Sequence, residues 1–164
     1  MLAYFPTPLP VQIIPIIYPI KPGDTSWTTD APRVRQLWPF VERGLENILR
    51  KVKPRPTWLP SDVYTSLLSG QSQLCLAKRG DRNLGFFIWY FERDAWSGEG
   101  TVFCWCAWTI PLKERIPTDN IDEVVALTID FMRSILQKPF KMVSSRPGFA
   151  TKLGAKRLYW IFEF

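Results

Sequence analysis

The sequence predicts one α/β (α+β) domain, built on a central sheet that helices cover on both faces. Residues 84–91 and 102–110 are apolar at successive positions rather than at alternate ones. A strand with one solvated face alternates apolar with polar residues, so these runs are typical of central strands in a layered, mixed but mostly antiparallel sheet. Residues 30–51 and 120–137 show the three- and four-residue spacing of amphipathic helices that would cover such a sheet.

The composition supports a compact domain and narrows the chemistry open to it. With 164 residues, 46% of them hydrophobic, the chain can bury a core without a disulfide or a metal. It contains no histidine, which removes the commonest general base and the usual partner of a nucleophilic serine or cysteine. Aromatic residues make up 15% of the chain, so an aromatic interface and a tryptophan-rich core both remain open.

A proline-rich segment precedes the predicted domain. Residues 1–23 contain six prolines, which exclude a long helix, and therefore both a membrane span and the apolar core of a signal peptide. We expect residues 1–29 to form an extended arm and residues 30–164 to form the domain. The candidate interface residues of this arm are Ile13, Ile14, Ile16, Ile17, Tyr18 and Trp27. The favoured partner is a neighbouring subunit, and the alternative is that part of 11–18 is the domain's own first strand.

The first helix is predicted to begin at Asp30, a good N-cap with Pro32 in the first turn. Pro39 is expected to kink or restart this helix, and Pro54 ends it. A basic group follows near its C-terminus, formed by Arg50, Lys51, Lys53 and Arg55. With a formal charge of +6, this group permits nucleic-acid binding, but a solvated basic helix end is the better interpretation.

A second, shorter helix is predicted over residues 58–68, with Gly70 as its C-terminal cap. A short strand at 74–77 leads to the sequence Arg79-Gly80-Asp81-Arg82, which indicates a hairpin turn more than an adhesion motif. Two long strands follow, joined by the turn residues between 92 and 100.

Three cysteines lie within these strand patterns: Cys75, Cys104 and Cys106. Alternation places Cys104 and Cys106 on one face of their strand, and a C-x-C pair without histidine is a poor zinc site. They are predicted to be buried small hydrophobic residues of a reducing compartment, so we expect no metal site.

The long helix over residues 120–137 has Asp119 as its predicted N-cap, and Pro139 stops it. Three more elements are expected after it: a strand over 141–145, a short helix or turn over 147–153, and a closing strand over 158–164.

This order of elements is similar to the fold of the GNAT acyltransferases. Two segments, Trp58-Leu59-Pro60-Ser61-Asp62-Val63-Tyr64 and Ser145-Arg146-Pro147-Gly148-Phe149 followed by Leu153-Gly154-Ala155-Lys156, resemble GNAT-like proteins that tailed bacteriophages encode beside their virion genes. The resemblance covers residues 30–164 and implies a GNAT-like fold for a virion protein made in the bacterial host cytoplasm.

The resemblance also identifies where coenzyme A would bind. In GNAT enzymes a glycine-rich loop joins the central strand to the long helix and cradles the pyrophosphate with backbone amides. The matching residues 111–120 contain no glycine, whereas Asp119, Asp122 and Glu123 lie at the helix start. Phe149 stands near the position where the family often has a tyrosine as general acid, leaving Tyr159 and Glu92 as nominal candidates.

These features lead us to expect no catalytic residue, no cofactor-binding residue and no bound cofactor. The predicted function is that of a non-catalytic virion structural or assembly protein, whose partners are other virion proteins and which uses its arm for subunit contacts. The alternative is an N-acyltransferase that uses acetyl-CoA in an atypical site. A nucleic-acid-binding module, supported only by net charge, is the weakest interpretation.

Overall fold

The computed structural model describes residues 7–23, 27–53, 55–93, 98, 100–136 and 140–142. Its elements, in chain order, are β1 (Val11–Pro15), α1 (Ala31–Lys51), α2 (Pro60–Leu68), β2 (Ser72–Arg79), β3 (Arg82–Arg93), β4 (Gly100–Thr109), a 3-10 helix (Leu112–Glu114), α3 (Ile121–Leu136) and β5 (Phe140–Met142). Among the helices described, none is long and apolar enough to cross a membrane.

The five strands form one sheet in the order β1–β2–β3–β4–β5. Neighbours from β1 to β4 are antiparallel, and β5 is parallel to β4, with Val102–Cys104 opposite Phe140–Met142. The sheet is therefore mixed and mostly antiparallel, which confirms the predicted fold class.

Helices α1 and α2 cover one face of the sheet. The buried residues on this side are Ile16, Val34, Val41, Leu45, Val63, Leu67, Leu74, Leu76, Phe86, Ile88 and Cys106. Gly44 allows α1 to approach closely, because a Cβ added there would lie 2.4 Å from Phe86 Cε1 and 2.7 Å from Trp108 Cε3. An alanine at this helix position would overlap both rings.

Helix α3 covers the opposite face. It buries Met132 and Val124 against side chains of the three central strands. The buried residues of β2, β3 and β4 on this side are Cys75, Ala77, Leu84, Phe87, Trp89, Val102 and Cys104. Because both faces are covered, the central strands are apolar at successive positions, as the sequence pattern predicts.

The predicted helix ends and turns are largely confirmed. The Asp30 carboxylate accepts a hydrogen bond from the Arg33 N–H at 3.2 Å, and α1 continues through Pro39 as one helix rather than restarting there. Gly70 ends α2 with a φ of +76°, its N–H donating to Leu67 O at 3.2 Å. Gly80, at φ +57°, and Asp81 form the two-residue turn between β2 and β3.

The predicted arm contains the first strand of the sheet, as in the alternative interpretation. Strand β1 pairs with β2, so the expected boundary between residues 29 and 30 does not separate the arm from the sheet. Ile16 is fully buried in the chain's own core, where it has no surface left for a partner. Ile14 packs against the same core, and Ile13 packs on the α3 side.

The remaining candidate interface residues are only partly enclosed. Ile17 forms an isolated antiparallel bridge with Thr29, and Tyr18 is 45% exposed. Trp27 packs edge-on against Trp89 and Phe131, with ring centroids 5.4 and 6.3 Å away. A role for these residues in subunit contacts stays a prediction.

The predicted strand over 141–145 overlaps β5, which begins one residue earlier. Its last residues, the helix or turn over 147–153 and the closing strand over 158–164 lie outside the described residues.

Candidate functional site

The candidate site is the segment that leads from β4 into α3. After β4 the chain passes the buried Ile110 and the 3-10 helix, then enters α3 at Ile121. Seven backbone amides of this segment bond to acceptors within the segment itself. They are Glu114 to Pro111 O, Arg115 to Leu112 O, Ile116 to Asp119 Oδ2, Asp119 to Ile116 O, Asp122 and Glu123 to Asn120 Oδ1, and Val124 to Asn120 O. These amides are not available to an anion without local rearrangement.

Asn120 caps α3, and the prediction that Asp119 is the N-cap is wrong. The Asn120 side-chain oxygen accepts from the amides of Asp122 at 3.0 Å and Glu123 at 3.4 Å. The Asp119 carboxylate points instead to the Ile116 N–H, at 3.0 Å, and to Arg82. Both residue types are good caps, so the sequence alone does not distinguish them.

Arg82 binds Asp119 with both terminal (Nη) guanidinium nitrogens. The Nη1–Oδ1 and Nη2–Oδ2 distances are 3.0 and 2.8 Å, and the Asp119 side chain is fully enclosed. The hydrogen bonds from Arg82 hold the pKa of Asp119 below its ordinary value, with a further contribution from the Ile116 amide. Asp119 is therefore ionised at neutral pH and fixes the loop to the β2–β3 turn.

Two further arginines tie the same segment down. Arg79, whose side chain is only 9% exposed, donates to Thr118 O and to Glu123 Oε2, the latter at 3.1 Å. Arg43 of α1 reaches Glu114 Oε1 at 2.7 Å. The loop is thus held from the hairpin turn on one side and from α1 on the other.

The sequence does not predict these arginine contacts. Arg79 and Arg82 flank the glycine turn, and their acidic partners lie 44 and 37 residues further along the chain. The acids at the start of α3 indicate that basic residues or solvent must lie nearby. The neighbouring sequence does not show which basic residues these are.

A β-bulge interrupts β4 at Trp105. Ile88 pairs with Cys106 while its neighbour Trp89 pairs with Cys104, so Trp105 has no partner on β3. Cys104 and Cys106 consequently face opposite sides of the sheet, and the prediction that they share a face is wrong. Strict alternation failed here because the extra residue reverses the parity of the strand.

Trp105 belongs to an aromatic group beside the bulge. Its ring lies 6.1 Å from that of Trp58 and 5.9 Å from that of Tyr90, which in turn lies 5.4 Å from Phe103. Partial burial, with the charge of Glu92 contributing, raises the pKa of Tyr90. Glu92 itself is exposed near the end of β3, whereas Tyr159 and Phe149 lie outside the described residues.

The chain was compared with known proteins by sequence and by structure. No family model matches the sequence, and no curated protein is similar to it. Solved structures do match. A ribosomal-protein-alanine N-acetyltransferase from Brucella melitensis biovar Abortus 2308 matches 94% of this chain over 97% of its own, with 12% identity and a TM-score of 0.57. The chain has the fold of the GNAT acetyltransferases.

Two other GNAT-fold structures support the same conclusion. An aminoglycoside N-acetyltransferase in complex with CoA aligns over 98% of this chain and 97% of its own, at 10% identity and a TM-score of 0.59. A predicted acetyltransferase with acetyl-CoA from Clostridium acetobutylicum covers 94% and 95%, at 12% identity and a TM-score of 0.54. At these identities the likeness concerns the GNAT fold alone.

The three cysteines of the GNAT-fold domain are buried, which disfavours their reactive thiolate forms. Burial raises the pKa of the Cys104 thiol to about 12 and raises the pKa values of Cys75 and Cys106 as well. Within the described part of the chain, no group of cysteine and acidic side chains is placed to hold a metal ion.

Because the thiolate is the reactive form, we expect the native protein to react with Ellman's reagent at pH 8 at least about 100-fold more slowly than the unfolded protein. The measurement is the absorbance time course with and without denaturant, the unfolded chain serving as the control that titrates three thiols. Rapid labelling of the native chain would contradict the burial of these residues.

The predicted basic surface lies at the exposed C-terminal end of α1. Arg50 and Lys51 occupy the last turn of α1, and Lys53 and Arg55 follow it, all exposed. Cations in this position interact favourably with the negative end of the helix dipole. Their presence is therefore explained without a ligand. Their contact with nucleic acid or an acidic partner stays a prediction.

Proposed function

We propose that this GNAT-fold domain does not use acetyl-CoA and acts as a structural or assembly protein of a tailed-phage virion. The observation that carries the non-catalytic part is the closed β4–α3 segment. In GNAT enzymes the amides of this segment hold the pyrophosphate, whereas here they bond to Asp119, Asn120 and nearby carbonyls.

Charge adds to the effect of these occupied amides. Asp119 and Glu123 already engage the guanidinium groups of Arg82 and Arg79, and Asp122 adds a third acid at the start of α3. A pyrophosphate entering this position meets carboxylates at the positive end of the helix, where they take the place of an anionic ligand.

The virion part of the proposal rests on sequence. Residues 58–64, 145–149 and 153–156 resemble GNAT-like proteins of tailed phages, and a proline-rich arm before a compact domain suits contacts between subunits. Such a protein is expected to be found in purified particles, made in the host cytoplasm and contacting other virion proteins.

Calorimetry with acetyl-CoA tests the non-catalytic part. We expect no saturable heat up to about 1 mM ligand, because the bonded amides and the acids at the start of α3 oppose the binding of a pyrophosphate there. The positive control is a GNAT enzyme known to bind acetyl-CoA, titrated under the same conditions. Saturable binding in the micromolar range would overturn the proposal and favour the alternative.

That alternative is an N-acyltransferase that holds acetyl-CoA in an atypical way. It is supported by the solved structures that share the fold, which are described as acetyltransferases and include complexes with CoA and with acetyl-CoA. The β4 bulge adds to this support, because it leaves an aromatic-lined surface beside the central strands. Micromolar binding together with acetyl transfer to an amine would establish this second function.

A further inference from the structure

An open groove runs between the edge of the sheet and helix α3. Its volume is about 320 Å³, and it is lined by Val11, Ile13, Leu127, Asp130, Phe131 and Ser134. Strand β1, which forms one wall, is the edge strand of the sheet over the residues described. The groove therefore combines an apolar floor with an exposed strand edge, the two features that a docking strand uses.

Among the described residues, no strand pairs with the outward edge of β1, so its backbone groups can accept a further strand. The Ile16 N–H donates to Leu74 O at 2.8 Å, and Pro15 pairs with Cys75 in the β1–β2 register. Bonding direction alternates along an antiparallel strand, so the N–H and C=O groups of Val11 and Ile13 face away from β2. Pro15 also falls on the outward side, where its missing N–H costs no bond to β2.

The residues before β1 have a matching pattern. Prolines stand at 6, 8 and 10, alternating with Phe5, Thr7 and Leu9. In an extended segment the N–H groups of alternate residues point to the same edge. The N–H groups of Phe5, Thr7 and Leu9 would therefore share one edge, and the prolines leave the opposite edge without donors. A strand with one bonding edge suits the outermost position of a sheet, because no further strand can be added to it.

Residues 7–10 do not turn back onto the groove of their own chain. Residues 7–10 are exposed and belong to no strand, although a return to β1 would pair Thr7 with β1. Leu9 is 62% exposed and lies beside the β2–β3 turn, where a Cβ added to Gly80 would be 3.0 Å from its Cδ1. Leu9 therefore does not occupy the groove of its own chain.

We propose that residues 5–9 of a second copy of this chain add antiparallel to β1 and place Phe5 and Leu9 in the groove. In an antiparallel pair the residues that bond to each other also share a face of the sheet. Val11 and Ile13 bond outward and face α3, so the bonding residues of the incoming arm face α3 as well. The same residues of the arm can therefore bond to β1 and face α3. If each chain lends its arm to the other, the two chains form a closed dimer.

This inference rests on the proposed assembly role, since it names the partner and the surface that the arm uses. Its test is nevertheless independent of acetyl-CoA: the mass of the particle in solution reports the arm exchange, and calorimetry reports the coenzyme. Failure of one leaves the other standing.

The experiment compares full-length variants by light scattering and sedimentation over a concentration series. The wild type is expected to show at least twice the mass of one chain. Thr7→Pro with Leu9→Pro removes donors from the bonding edge and is expected to give single chains that keep the wild-type circular dichroism spectrum. Pro8→Ala with Pro10→Ala, a matched change on the other edge, is expected to leave association intact.

The groove is tested from its own side with α3 variants. Ser134→Arg fills the groove from an exposed position, and we expect it to weaken association at least 10-fold. Ala126→Arg, exposed on the same helix but outside the groove, serves as its control. A wild type that remains a single chain up to about 100 µM, or a Thr7→Pro/Leu9→Pro protein that associates like the wild type, overturns the proposal. So does equal association of the two arginine variants.

Discussion

Replacing Gly85 with alanine is expected to lower the free energy of unfolding by about 3 kcal/mol or more. A Cβ at this position would lie 2.4 Å from Trp108 O and 3.1 Å from Thr109 Cα. Both atoms belong to the backbone of the neighbouring strand, so no side-chain rotation relieves the overlap. The β3–β4 pair must separate locally, in the centre of the sheet.

The measurement is urea unfolding followed by tryptophan fluorescence and circular dichroism. Gly98→Ala provides the control, because Gly98 lies in open space and its φ of +71° costs an alanine only about 1 kcal/mol. Equal losses for the two variants would show that the close approach of Trp108 to Gly85 is absent from the protein in solution. A loss at Gly85 without a change in the denaturant dependence would confirm a purely local cause.

The layered fold was predictable because its cause is distributed over many residues. Phe86, Phe87, Ile88 and Trp89 are successive apolar residues, and only a sheet covered on both faces buries all of them. The two-residue turn at Gly80 and the helix end at Gly70 were predictable for a local reason, since a positive φ favours glycine. Such signals survive without knowledge of the tertiary contacts.

The bulge at Trp105 was not predictable in the same way. Its residues continue an apolar strand pattern, and the register shift appears only when β4 is set against β3. For a related reason, the sequence does not decide whether residues 11–15 join the sheet, because an apolar segment with prolines suits an edge strand as well as an arm. In both cases the structure is determined by pairing with a strand that is distant in sequence.

The candidate site was predictable only in its negative features. The lack of glycine between residues 111 and 120 can be read directly, and so can the acids that follow. The ion pairs that neutralise those acids join Arg82 to Asp119 and Arg79 to Glu123, across the sheet and its loop. Long-range pairs of this kind leave no periodic signal in either segment.

Asp119→Asn is expected to lower the thermal unfolding midpoint at pH 7 by about 5 °C. An asparagine still accepts from the Ile116 N–H, so the change removes the charge and leaves one hydrogen bond in place. The enclosed partner of Arg82 then becomes neutral, and the loop loses its strongest link to the β2–β3 turn. The measurement is a thermal melt of both proteins by circular dichroism.

The pH dependence of this difference identifies its cause. The folded pKa of Asp119 is depressed, so its stabilising effect is fully present above the unfolded value of about 4 and is lost as the pH falls through the folded pKa. The two midpoints should therefore converge on acidification below about pH 4. Glu46→Gln, at an exposed acid on α1, is the control and should change the midpoint little at any pH. A difference between wild type and Asp119→Asn that persists at pH 2 would show that the loop is held by shape rather than by the carboxylate.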